Sequence, residues 1–181
     1  EVAALSGVDV LDLSMRAYNA VKEYDKRAVV DDGKFSALTT EIAVSNSHGV
    51  GAAEKSTLLT GFIVCVAKEH GQTSSMAFEY DLRRDIKFSP EKIGSSAAEK
   101  ALASIGPRKG ESFVGKVILD ADPAAEILFG PVFYSVNADN VQRKRSVWID
   151  KMDKAVAVSN LNVTDNGLLP KGIGSSSFDA E

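Results

Sequence analysis

A chain of 181 residues with 44% apolar side chains holds enough hydrophobic material for one large or two small cores, which excludes a disordered or collagen-like polymer. Its 21 lysines and arginines stand against 25 aspartates and glutamates, a net charge of -4 with the signs interspersed, so no whole-chain field gathers nucleic acid or anionic lipid. The single cysteine, Cys65, excludes an internal disulfide and an all-cysteine metal site, and its apolar neighbours place it as a reduced core residue. No apolar run approaches the roughly 18 residues of a membrane span. No signal peptide is visible, and the cytoplasm is the expected compartment. A first residue of Glu rather than Met, with a polar end at SSSFDAE, gives the expectation of a fragment.

In chain order, Asp9 to Tyr24 sets Leu11, Met15, Tyr18 and Val21 at helical spacing, with Asp9 and Asp12 where the N-terminal dipole favours acids. Thr39 to Ser45 alternates as a strand and runs into the turn Asn46-Ser47-His48-Gly49. Ser56 to Lys68 is apolar on both faces, as a central strand is. Ser75 to Leu82 sets Met76, Phe78, Tyr80 and Leu82 against Ala77, Glu79 and Asp81, which predicts that the first set is buried and the second wetted. Short turns make these three strands an antiparallel meander. A second helix over Glu91 to Ile105 has Ser89 as N-cap, Pro90 at its first position, and Ile93, Ala97, Ala101 and Ile105 on one stripe. The polar, glycine-bearing Gly106 to Ser112 reads as a linker, which divides the chain into residues 1–112 and 113–181. Beyond it lie a strand at Val114 to Leu119, a short helix from Asp122 to Val132, and strand-like segments at Ser146 to Ile149 and Ala155 to Val163. The expected fold class is α+β: an antiparallel meander sheet covered by helices, then the start of a second, mixed β-rich domain.

The motifs that could carry chemistry meet plainer explanations. Gly110 to Lys116 has the glycine and lysine spacing of a phosphate-binding loop, but Val117 stands where Ser or Thr would hold magnesium, and a strand follows rather than a helix. His48 and His70 lie in glycine turns far apart in sequence, without the short Cys or His spacings of zinc sites. Asp120, Asp122 and Glu126 form a carboxylate cluster of the kind that divides acid and base roles, yet Asp122 before Pro123 is better read as a helix N-cap. Arg143-Lys144-Arg145 lacks interleaved aromatics and reads as a solvated face.

The order VILDADPAAEIL, then SVNADNVQRKRSVWID with LNVTDNG, then GIGSSSFDAE, resembles the start of the C-terminal domain of the TldD/PmbA family, known also as modulators of gyrase or peptide-maturation proteins. The positions that carry the resemblance are Val117, Leu119, Asp122, Pro123, Ser146, Leu161, Val163, Thr164, Asp165, Gly174, Ser175, Phe178, Asp179 and Glu181. In the first half, Asn46, Ser47 and Gly49 match the family's "NSxG", followed by Glu54-Lys55-Ser56-Thr57. Arg143 near the usual turn glycine, Asn166-Gly167 for Asp-Pro, and Ala180 for the second Asp of "FDDEG" depart from it.

The resemblance implies a zinc branch whose helix after this strand carries HExxxH, two imidazoles one turn apart around a glutamate that activates water. Here that helix has Glu126 and no histidine, so the chain resembles the PmbA/TldE-type branch instead. The implied role is a noncatalytic subunit, with no catalytic or metal residue in this segment and zinc expected on a TldD-type partner. The implied partners are a TldD-like paralogue, as a heterodimer, or a second copy, with unfolded peptide as substrate and neither nucleic acid nor membrane. Asn46, Ser47, Gly49, Ser146, Asp165, Gly174, Ser175, Phe178, Asp179 and Glu181 are the positions expected to have structural or peptide-cleft roles. Two alternatives stand beside this: a metallopeptidase in its own right with ligands outside the segment, and a regulatory protein-binding module.

Overall fold

The computed structural model describes residues 1–178. Residues 1–109, with the stretch from Asn166, form one compact unit, and residues 110–165 form another. The stretch from Asn166 is therefore grouped with the first unit, where the sequence division at 112 and 113 put it in the second.

In the first unit a short 3-10 turn, Val2–Ala4, leads into α1, Gly7–Tyr24. Ser6 caps α1: its hydroxyl accepts from the Asp9 N–H at 3.3 Å, and the Asp9 carboxylate accepts from the Ser6 N–H at 2.7 Å. This reciprocal box satisfies two of the free amides at the helix start. The sheet follows as β1, Ala28–Ser45, β2, Gly51–Glu69, a two-residue β3, Gln72–Thr73, and β4, Ala77–Arg83. β2 is central, antiparallel to β1 on one side and to β4 on the other. β1 begins well before the alternating segment Thr39 to Ser45. The Asp31-Asp32-Gly33 run that hides its start from a periodicity reading holds a bulge between Val30 and Asp32. The last helix of the unit, α2, spans Pro90–Ala103 with Ser89 at its N-cap.

The helices cover one face of the sheet. Leu59, Ile63, Cys65 and Ala67 of β2 and Ala77 of β4 are buried there with Ala17 and Val21 of α1 and Ile93, Ala97, Ala98 and Ala101 of α2. The α2 stripe matches its expectation. The α1 stripe matches only at Val21: Leu11, Met15 and Tyr18 are exposed, and Val10, Leu13 and Ala17 face the core with Val21. The reason is the close approach of the two helices, in which small side chains take the contact and long ones are displaced outward. Two glycines permit the packing: a Cβ on Gly94 of α2 would lie 2.2 Å from the Ala17 carbonyl oxygen, and one on Gly61 of β2 would lie 2.4 Å from the Phe35 ring.

Cys65 is fully buried among these residues, and desolvation pushes its thiol up to about 11. Its reaction with a thiol reagent near neutral pH is accordingly expected to track global unfolding, rising with urea along the same curve as helix loss. Rapid labelling of the folded protein would contradict the burial.

In the second unit the residues read as strands, 114–119, 146–149 and 155–163, are not strands. A strand needs a neighbour for its N–H and C=O groups, and within residues 110–165 the sequence pattern meets no ladder partner. Val114, Ile118, Val147 and Val158 stand exposed as a result. The helix there is longer than its expected bounds: α3 spans Ala121–Val136, followed by α4, Ala138–Gln142. Its N-cap is Asp120, whose carboxylate accepts from the Ala121 N–H at 2.8 Å, and not Asp122. Pro123 falls within the first turn, where the backbone N–H has no intrahelical partner to lose.

Candidate functional site

The open face of the sheet is an exposed apolar feature of the first unit. Because β2 is apolar on both faces and the helices take only one, Phe62, Val64 and Val66 face away from them. β4 adds Phe78 and Tyr80, paired across the ladder with Val64 and Phe62. Phe78 lies between the other two rings, its centroid 5.5 Å from Phe62 and 5.6 Å from Tyr80. Phe78 is 53% exposed and Tyr80 46%. The expectation that Met76, Phe78, Tyr80 and Leu82 form the buried face is thus reversed. Ala77 is the buried residue, since only a small side chain fits beneath α2, and Glu79 on that side pairs with Lys100. A shallow cavity of about 290 Å³ opens on the aromatic side, lined by Thr60, Phe62, Phe78, Tyr80 and Leu82 among others. An apolar sheet face of this kind marks a surface that another body covers.

Among the described residues, the candidate positions fall in the β1–β2 turn, in residues 110–165 and in the stretch from Asn166. Asn46, Ser47 and Gly49 make the β1–β2 turn: the Asn46 side-chain oxygen accepts from the His48 and Val50 amides at 3.0 and 3.2 Å, and Gly49 takes a positive φ of 85°. This is an Asx-type turn, with His48 exposed at its tip. Ser146 is buried in the second unit. Its hydroxyl donates to the Ser135 carbonyl at 2.7 Å and accepts from the Trp148 N–H at 3.0 Å, tying the chain back onto the C-terminal end of α3. Asp165 is exposed at the edge of that unit. Gly174, Ser175 and Phe178 lie in the stretch that packs with the first unit, while Asp179 and Glu181 lie outside the described residues.

The carboxylate cluster before and within α3 has no metal geometry. Asp120 caps the helix, Asp122 sits in its first turn, and among the described residues no group of three His, Cys, Asp or Glu side chains is placed to hold a metal. α3 is instead apolar on most sides, with Ile127, Leu128, Phe129, Phe133 and Tyr134 at least two-fifths exposed and Phe129 stacked on Phe133 at 5.6 Å. A helix apolar all round is ordinarily a buried one.

Residues 3–105 match the family profile of the PmbA/TldA metallopeptidase central domain, and residues 113–181 that of the PmbA/TldA metallopeptidase C-terminal domain. The chain belongs to the PmbA/TldD metallopeptidase family. Among relatives of this family, Metalloprotease PmbA of Escherichia coli O157:H7 is 28% identical over 183 residues, which is 99% of this chain and 40% of that protein. The Metalloprotease PmbA homolog of Buchnera aphidicola is 28% identical over 176 residues, 96% of this chain and 39% of its own length. The chain thus spans about two-fifths of the curated PmbA relatives it matches. The same fold occurs in a solved structure from Thermotoga maritima, named as a candidate modulator of a DNA gyrase, with a TM-score of 0.77 at 23% identity over 98% of this chain and 41% of that one. A structure of TldE from Thermococcus kodakarensis gives a TM-score of 0.53 at 24% identity over 56% of this chain and 23% of that one. No helix of the described residues is long and apolar enough to cross a membrane.

Proposed function

We propose that this chain is part of a noncatalytic, PmbA/TldE-like subunit of a TldD-type zinc protease that degrades or matures unfolded peptides. The observation that carries the reading is α3. A zinc-binding HExxxH needs two imidazoles on one helical face, and the only carboxylate inside α3 beyond its first turn is Glu126, with no histidine anywhere on the helix. The subunit supplies surface rather than metal chemistry, and zinc belongs to a TldD-like partner.

Two surfaces suit that role. The aromatic face around Phe78 is where a TldD-like paralogue or a second copy is expected to pack, since apolar contact is the main driving force of stable association. β1 offers the substrate its edge, because among the described residues it is hydrogen-bonded to β2 alone. An extended peptide added to such an edge gains main-chain hydrogen bonds with little demand on sequence, as processing of varied unfolded segments requires. Asp31, Asp32 and Lys34 interrupt the start of that edge with a bulge and charges, leaving Phe35 to Ser45 as the continuous run. The proposed compartment is the cytoplasm.

The test is the zinc content per chain of the full-length protein after gel filtration, with and without co-expression of an HExxxH-bearing paralogue. The subunit reading expects metal and peptide hydrolysis only in the mixed complex. Zinc bound near one per chain by the protein alone, with chelator-sensitive cleavage, would replace it with a metallopeptidase whose ligands lie outside residues 1–181. Longer relatives named Metalloprotease PmbA keep that second reading in view.

A further inference from the structure

The stretch from Asn166 to Phe178 folds on itself as well as onto the sheet. The Ser176 N–H donates to the Gly167 carbonyl at 3.0 Å and closes a loop, within which Leu169 donates to Asn166, Gly172 to Leu169 and Ser175 to Gly172. Segments of this length with joined ends are compact loops. The ties to the sheet are polar. Lys171 Nζ pairs with Asp85 Oδ2 at 2.8 Å, and an Arg84 guanidinium N–H donates to the Ile173 carbonyl at 2.8 Å. Glu54 Oε2 accepts from the Ser177 N–H at 2.5 Å and from its hydroxyl at 2.6 Å, with the Ser176 hydroxyl at 3.4 Å. Leu168, Leu169 and Ile173, the loop's large aliphatic side chains, stay exposed, so apolar burial by these three contributes little to holding it. The anchors share one corner: β4 ends at Arg83, opposite Leu59, and Glu54 lies on the part of β2 that runs past it.

We propose that residues 166–178 form an ionically latched loop that docks on this corner and leaves it as one unit, with ionic strength setting the balance. Its internal hydrogen bonds make the three anchors interdependent, so weakening one loosens the others. Each anchor has at least one charged member, and Lys171–Asp85 is an ion pair whose lysine side chain is 63% exposed, so salt weakens the latch more than it would a buried apolar contact. Undocking releases Glu54, Arg84 and Asp85 together. Segments held by few buried apolar contacts are the ones that open below the global unfolding free energy.

Trypsin reads the latch at Lys171, because the rate of cutting follows the open population when opening is fast. In the full-length protein, cleavage after Lys171 is expected to accelerate about fivefold or more in Glu54→Gln, on the scale of one lost surface charge contact. It is also expected to rise as salt goes from about 0.05 M to about 0.5 M, where screening shortens from beyond 10 Å to a few ångströms. Cleavage after Lys109, in the exposed linker that no anchor touches, serves as the reference. The decisive feature is action at a distance: Glu54 makes no contact with Lys171, so acceleration in Glu54→Gln requires that the loop move as a unit. Acceleration in Asp85→Asn alone, with Glu54→Gln at the parent rate, would overturn the proposal in favour of separate contacts. A salt-independent rate in the parent protein would overturn it as well, and needs no variant to fold.

Discussion

Gly94→Ala is expected to destabilise the first unit by about 2–3 kcal/mol, the cost of forcing atoms into a packed contact. In most helix interiors the same change gains up to about 1 kcal/mol, because alanine loses less backbone entropy than glycine. The sign reverses here because the new methyl would stand 2.2 Å from the Ala17 carbonyl oxygen and 3.1 Å from the Ala20 methyl on α1. Backbone cannot turn aside as a flexible side chain can, so the helices must separate, and the contacts of Ala97, Ala98 and Val21 are lost with them. Gly130 of α3, whose added Cβ meets nothing within 4 Å, is the internal comparison: Gly130→Ala is expected to strengthen its helix. Urea unfolding followed by circular dichroism measures both. A Gly94→Ala protein as stable as the parent would mean that α1 and α2 do not approach at that point.

Phe78→Ser separates stability from association. Within the chain, Phe78 contributes mainly same-face contact with Phe62 on β2 and with Tyr80 two residues along β4, on an open face, so the variant is expected to lose no more than about 1 kcal/mol of folding stability. If the aromatic face is the partner surface, Phe78 lies at its centre, and truncating a central aromatic anchor costs about 2 kcal/mol or more, some thirtyfold in dissociation constant. Sedimentation of the full-length protein, alone and with an HExxxH-bearing paralogue, measures the loss. A dissociation constant unchanged by Phe78→Ser, with the fold intact, would place the interface elsewhere.

The HExxxH chemistry of the zinc branch needs two imidazoles on one helical face, and their absence from this helix was legible in the sequence. PAAEILF has no pair of imidazoles, and no fold can create one on α3. Much of the secondary structure was legible too. The α2 stripe of Ile93, Ala97 and Ala101, the apolar β2 and the turn at Asn46 are local patterns, and each follows from helical period, strand alternation or turn chemistry. The capping of α1 by Ser6 and of α3 by Asp120 escaped the reading because each signal lay just ahead of a stronger-looking acid or an Asp-Pro pair.

The order of motifs along the sequence also determined the family, and the profile matches over residues 3–105 and 113–181 agree with it. Tertiary structure alone decided which side of the sheet is covered. Alternation states that β4 has an apolar face and a mixed face, and by itself that favours burying Phe78 and Tyr80. Helix packing chose the other side, since α2, with Gly94 and three alanines on its inner surface, approaches closely only where the sheet presents residues as small as Ala77 and Cys65. The same long-range choice turned Leu11 and Met15 of α1 outward and left 114–119 and 155–163 without ladder partners. A period identifies a face from neighbours along the chain, whereas the body that covers the face comes from residues far away in sequence.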